Sequence, residues 1–268
     1  VLVIAVVVVA IVVSNNGSSN AGGSFDNKPV PKSILTAVTS PGQSELATVG
    51  SGGVPNPWTK IKGRQTPFTL GGKPELLYYG AEFCPYCAAE RWGMIAALSR
   101  FGTFKGLGLM KSTANDVFPS TNTFTFRHAS YTSPYLAFSA REVEDRNGRA
   151  LQTPTAREQT VINRYDKKPY STQALGFPFL YLDGKAVGNL PSIAIDGALH
   201  ANTTDPYSSA LSWSQIAGGL VNAGSPQARA VFGNANWITA GICRVDGNKP
   251  ASVCSAKPIP ALEAKLKF

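Results

Sequence analysis

Cys84 and Cys87 stand three residues apart in the run Cys84-Pro85-Tyr86-Cys87. Two thiols at this spacing can close a disulfide across the first turn of a helix. The first of them then sits at the helix N-terminus, where unpaired N–H groups and the macrodipole favour a thiolate. The thiolate is the nucleophile of disulfide exchange, so Cys84 is the expected attacking group. Cys87, one turn inside, is the expected resolving group. Two blander readings compete: half of a zinc site, or a purely structural bridge. Zinc usually needs a second closely spaced pair. The other cysteines, Cys243 and Cys254, are too far apart for a knuckle, and neither His128 nor His200 lies near a cysteine in sequence. The redox pair leads, and it requires no metal or cofactor.

The flanking sequence supplies elements to position this pair. The apolar stretch Glu75 to Ala81 reads as a buried strand. Pro85 to Phe101 reads as a helix, with Ala88, Trp92, Ile95 and Ala96 on one face and Met94, Leu98 and Phe101 broadening it. Asn122 to His128 alternates apolar and polar residues, a strand signal; Arg127 and His128 fit the surface at its end, the alternative being that they raise the local potential near Cys84. Leu136 to Arg146 and Thr155 to Tyr165 look helical, which makes about 130–172 a helical insertion. Phe179 to Leu182 is a strand, Asp183-Gly184 a hairpin turn and Lys185 to Asn189 the partner strand. Ser212 to Asn222 and Pro226 to Trp237 close the chain with helices. Upstream, Pro31 to Val38 and Glu45 to Val49 are short helical candidates. Pro55 to Gly72 reads as irregular, with a short strand at Pro67 to Leu70. The expected fold class is α/β: a central mixed sheet, flanking helices and a helical insertion between core strands.

That order of elements resembles the thioredoxin arrangement over roughly Pro74 to Asn222. Ala81-Glu82-Phe83-Cys84-x-x-Cys87 is similar to the thioredoxin active-site run. Gly176-Phe177-Pro178-Phe179-Leu180-Tyr181-Leu182-Asp183-Gly184 resembles the second hallmark, a proline in the cis form before the hairpin strand. Only X–Pro bonds adopt cis cheaply; an ordinary trans proline at a strand start is the alternative. Phe126 to Glu144, FRHASYTSPYLAFSAREVE, with CPYC and the apolar N-terminus, resembles DUF929, a prokaryotic membrane-anchored, thioredoxin-like family whose name supplies no reaction. The resemblance implies Cys84, Cys87 and Pro178 as catalytic residues and Phe177, Pro85 and Tyr86 as contacts to substrate. The sequence also departs from thioredoxins. Their buried carboxylate, six positions before the first cysteine, is here Tyr78. Glu82 or Glu90 can substitute in proton transfer, although each is more readily read as a surface carboxylate, since buried unpaired carboxylates are rare. Pro-Tyr is the glutaredoxin dipeptide, without glutathione-binding motifs. The motif histidine of strongly oxidising periplasmic relatives is absent. The direction of the reaction is therefore open.

Composition bears on compartment and partners. The formal charge is +9, but Lys and Arg are dispersed rather than clustered with aromatics, which argues against nucleic acid. Arg141, Arg146, Arg149, Arg157 and Arg164 alternate with Glu142, Glu144, Asp145, Glu158 and Asp166, a pattern of solvated helix surface. Residues 1–13, VLVIAVVVVAIVV, read as the end of an N-terminal membrane anchor; a signal-peptide core is the alternative. Residues 14–53 read as a flexible linker and irregular segment, 54–242 as the thioredoxin-like domain and 243–268 as a tail stapled by a Cys243–Cys254 disulfide. Two free thiols or a second redox pair are the competing readings of these cysteines. Tyr131, Tyr135, Phe138 and Phe177 line either a groove for an unfolded polypeptide or a packed edge.

The expected function is a membrane-tethered, extracytoplasmic thiol–disulfide oxidoreductase. Its partners are protein thiols or disulfides and a membrane quinone-linked redox protein that recycles the pair. The rival is a non-catalytic adaptor of the cell envelope in which the CPYC bridge is structural.

Overall fold

The computed structural model describes residues 26–171, 174–188, 195–201 and 210–268. The expected anchor and the first part of the expected linker lie outside them. Among the described residues two helices come first, α1 (Lys32–Thr39) and α2 (Gln43–Val49), followed by strands β1 (Trp58–Lys60), β2 (Thr69–Leu70) and β3 (Lys73–Gly80). The long helix α3 (Pro85–Leu98) leads to β4 (Thr103–Lys105), β5 (Gly108–Lys111), β6 (Asn122–Thr125), β7 (Ser130–Thr132) and β8 (Ala137–Glu142). Then come α4 (Ala156–Tyr165), β9 (Phe179–Leu182), β10 (Ala186–Gly188), α5 (Trp213–Leu220), α6 (Pro226–Asp246), α7 (Ala251–Cys254) and α8 (Ile259–Glu263).

The central sheet is mixed, in the order β1-β10-β9-β3, with β8 on the far side of β3 and β2 turning back on the start of β3. Strand β8 runs parallel to β3, from Glu75↔Ala137 to Gly80↔Glu142. Strand β9 runs antiparallel to it, with Tyr79↔Phe179 at the end nearest α3. Alternation along the strands covers both faces. Leu76 and Tyr78 of β3 and Leu180 and Leu182 of β9 join the core under α3 and α6. Leu77, Phe179 and Tyr181 join the cluster under Ile162 and Tyr165 of α4. A strand buried on both faces carries a continuous apolar run, which is why Leu76, Leu77 and Tyr78 are all fully buried.

Local chemistry sets the helix limits. Thr155 caps α4 in a capping box with Glu158, and Ser212 caps α5 in another with Gln215. Ser225 caps α6, which ends at Gly247 in the left-handed region, φ 76°. Asp183 and Gly184 both take positive φ, 46° and 71°, the geometry of the hairpin turn.

Several expectations need correction. Leu136 to Arg146 is not helical, and 130–172 is not a helical insertion: Ala137–Glu142 is the parallel core strand β8. Of that segment only α4 is a helix. Asn122 to His128 is strand only to Thr125, and it pairs with β5 in a separate hairpin instead of the central sheet. Trp58 to Lys60, expected to be irregular, pairs with β10 as an edge strand. Residues 32–49 are not a linker in the packing sense. Ile34, Val38, Leu46 and Val49 are buried in the main core, and Asn236 of α6 donates to the carbonyls of Leu46 and Gly50. Helix α6 runs nine residues past Trp237, so Cys243 lies inside it. Cys243 and Cys254 form a disulfide that ties α6 to α7 with both sulfur-bearing residues buried.

Candidate functional site

Cys84 is the N-cap of α3 and Pro85 its first residue. A proline there loses no helical hydrogen bond. The Cys87 N–H donates to Cys84 Sγ at 3.2 Å. Both residues are free thiols; Cys84 is 6% exposed and Cys87 fully buried. Burial raises the Cys84 pKa. Hydrogen bonds from the Cys87 thiol and amide, the Arg91 charge and the Tyr86 amide outweigh it, leaving the thiol below its ordinary range. Cys87 is held well above that range by burial, by its hydrogen bond to Cys84 and by the negative charge of Cys84. The two sulfurs therefore differ: Cys84 ionises first and Cys87 keeps its proton.

Under the cysteines lies a buried ion pair. Cys84, Cys87 and Arg91 share one helical face. Arg91 Nε and Nη2 donate to the two carboxylate oxygens of Glu142 at 2.8 and 2.7 Å, and Nη2 also donates to the Ala81 carbonyl at 2.7 Å. Both side chains are fully buried. Gly80 completes the floor. A Cβ there would collide with Tyr78 Oη and come within 3.0 Å of Cys87 Sγ, so only glycine lets the strand pass this close to the sulfur.

The other side of the site comes from the loop before β9. The Phe177–Pro178 bond is cis. The register Tyr79↔Phe179, carried one residue on, sets buried Pro178 across from Gly80. The Phe177 ring lies 5.1 Å from Tyr79 and 6.0 Å from Phe83, which precedes Cys84. Half-buried Tyr86 meets Phe118 at 6.4 Å.

Sequence reasoning missed a wall of the site, the β5–β6 connection 112–121. Thr113 N–H donates to the Phe83 carbonyl at 2.8 Å, and Arg146 Nε holds the Ser112 carbonyl at 2.9 Å. Phe118 also packs on His200 at 5.5 Å, and His200 Nε2 lies 2.9 Å from Thr121 Oγ1. His200, remote from the cysteines in sequence, thus stands behind Tyr86. Nothing in the polar 112–121 run signals this packing. Arg91 and Glu142 were missed too, although the i+4 spacing of Arg91 from Cys87 is a usable signal.

Neither candidate proton-transfer carboxylate is at the surface. Glu82 is 1% exposed and accepts from Thr125 Oγ1 at 2.6 Å; burial raises its pKa against that hydrogen bond. Glu90 points away from the thiols into the α3–α6 contact, where Asn234 Nδ2 donates to its two oxygens at 3.2 and 3.3 Å. Burial pushes Glu90 up to about 7 against the Asn234 hydrogen bond. The aromatic cluster also divides. Tyr131 and Phe138 pack with Phe104 and Phe126, while Phe177 sits at the CPYC run. The charges expected to be solvated are partly buried: Arg141 pairs with Glu158 and Arg157 with Glu75.

The position of Glu90 carries a stability prediction. Its folded pKa lies above the unfolded carboxyl value, so the native state binds more protons between pH 4.5 and about 7. Stability should fall as pH rises through that window, by on the order of 3 kcal/mol. Glu90→Gln removes this slope. It should match the parent near pH 4 and exceed it above pH 7 in denaturant titrations. Asp166, also pushed up to about 7 by burial, titrates in both proteins and cancels in the difference. Parallel curves for the two proteins would contradict this account of Glu90.

An α/β chain with a mixed central sheet and two close cysteines at a helix start is the class that fold and site define. The chain belongs to the family described as Domain of unknown function (DUF929), which matches residues 59–244. No curated protein and no solved structure matches it.

Proposed function

We propose that this protein is a thiol–disulfide oxidoreductase of thioredoxin-like architecture, tethered to a membrane and working on its extracytoplasmic side. The observation that carries the reading is Cys84 at the N-cap of α3, accepting the Cys87 N–H, with its thiol pKa lowered. A thiolate at this position is the nucleophile of exchange. The order β8-β3-β9-β10, with α3 entering after β3 and Pro178 directly before β9, supports the thioredoxin-like assignment. Cys84 forms the mixed disulfide and Cys87 resolves it. The backbone of Phe177 and Pro178 holds the substrate strand, with Tyr86 and Pro85 beside it.

The compartment rests on two features. The Cys243–Cys254 bridge is of a kind that persists in oxidising surroundings. The apolar run 1–13 suits an anchor. Among the described residues no helix is long and apolar enough to cross a membrane. A quinone-linked membrane protein fits as the partner that recycles the pair.

The adaptor reading draws on one observation, the low exposure of Cys84. Alkylation with iodoacetamide across pH separates the two. Cys84 should react with a midpoint below the ordinary thiol value of about 8.5, while Cys87 stays unmodified in the native protein. A Cys84 that reacts only after unfolding would favour the adaptor.

A further inference from the structure

The site holds a buried hydroxyl that the exchange reaction, as so far described, does not use. Tyr78 is fully buried in β3; its Oη makes no hydrogen bond of full geometry among the described residues, and the side chain it faces as a hydrogen-bonding group is Cys87. The position a Cβ on Gly80 would take lies against both Tyr78 Oη and Cys87 Sγ. The hydroxyl and the sulfur therefore converge on one point. The Tyr78 ring is fixed edge-on to Phe126 at 5.4 Å, and the Arg91 guanidinium lies 5.8 Å from its centroid. Arg91 Nη1 is a second buried donor without a partner among the described residues. The Tyr78 hydroxyl thus faces a sulfur that carries no charge at rest, and the Arg91 charge acts on the same sulfur.

A buried, unpaired donor costs stability. The cost is recovered only when an acceptor appears, and the acceptor that appears during the reaction is the Cys87 thiolate. We propose that Tyr78 is a positioning residue for the resolving step: its hydroxyl donates a hydrogen bond to Cys87 Sγ as that sulfur ionises to attack the mixed disulfide. This rests on the thiol–disulfide reading given above.

In the step, Cys87 sulfur bonds to Cys84 sulfur and the bond from Cys84 to the substrate sulfur breaks. The substrate leaves as a thiol, its proton being the one Cys87 lost; the enzyme pair is oxidised and the substrate disulfide reduced. Tyr78 keeps its own proton throughout. Burial holds its hydroxyl well above the usual phenol range against the charge of Arg91, so it acts as donor and not as base. The ionisable groups that act on Cys87 and Tyr78 are Cys84 and Arg91 from α3 and Glu142 from β8. Of these only Arg91 is a cation, and it favours the Cys87 thiolate in concert with the hydroxyl. Preformed donors aimed at a developing charge need no rearrangement when it forms.

Single-turnover reaction of the reduced protein with 5,5′-dithiobis(2-nitrobenzoate) tests this. The first nitrothiobenzoate released reports attack by Cys84, and the second reports attack by Cys87 on the mixed disulfide. Tyr78→Phe keeps the ring and removes an unpaired hydroxyl, so the fold should persist. The first phase should be unchanged. The second should slow by about 10- to 100-fold, the rate equivalent of a hydrogen bond to a charged group. Its rise with pH should also move to higher pH. An unchanged second phase with an unchanged pH profile overturns the role of Tyr78 and leaves the exchange reading intact. A parent protein with no first phase overturns the exchange reading, and this proposal with it.

Discussion

A Cys87→Ser variant should accumulate mixed disulfides through Cys84, and a Cys84→Ser variant should lose exchange to background. In the proposed exchange reaction the two substitutions act on different halves. Cys84 is the N-cap sulfur that receives the Cys87 N–H, so it makes the first bond. That N–H belongs to the backbone, and serine at position 87 retains it. Attack by Cys84 therefore continues in Cys87→Ser. What is lost is the second sulfur, so the intermediate has no intramolecular exit. With Cys84→Ser the remaining thiol is fully buried and its pKa is raised by burial, so it is neither ionised nor accessible. The reduced variants can be mixed with a disulfide-bearing protein and resolved without reductant. Adducts should form with Cys87→Ser, vanish on adding dithiothreitol and be absent from Cys84→Ser. Equal capture by both variants would sink the assignment of roles, because adducts would then arise elsewhere.

How much of this was legible in the sequence depended on how local each signal was. The position of CPYC at a helix start, α3 itself and the β9–β10 hairpin were read correctly because their determinants lie within a few residues. Proline at N1 and positive φ at Asp183 and Gly184 are decisions of short range. Strand β8 was misread because Ala137 to Glu142 contains good helix formers and charges. Parallel pairing with β3 overrode that preference, as tertiary context commonly does. Its charges are neutralised from afar: Glu142 by Arg91, 51 positions earlier, and Arg141 by Glu158 on α4. A pattern of alternating charge looks the same whether water or a distant partner satisfies it. The 112–121 wall was invisible for a related reason. It is held mainly by backbone hydrogen bonds and by Phe118, whose neighbours Tyr86 and His200 are remote in sequence.

The Arg91–Glu142 pair carries the largest expected stability effect. Arg91→Leu should cost about 3–5 kcal/mol, the usual consequence of leaving one buried charge without its partner. Glu142 is fully buried. With Arg91 gone, its nearest donor is the Phe126 N–H at 3.5 Å, too long to compensate for two charge-assisted bonds. Arg91→Lys should also be poorly tolerated, since an ammonium cannot reproduce the bidentate fork while also reaching the Ala81 carbonyl. Removing both charges is different. Arg91→Leu with Glu142→Leu should recover most of the loss, because two apolar side chains carry no desolvation penalty. Recovery should stop short of complete, as the Ala81 carbonyl still lacks its donor. Denaturant midpoints of parent, single and double variants measure all three quantities. A loss below about 1 kcal/mol in Arg91→Leu, the scale of an exposed pair, would mean that water reaches Glu142. The pair also ties the helix that carries the cysteines to the strand beside β3. The single variant should therefore loosen that contact, and Cys87, shielded in the parent, should become open to alkylation under native conditions.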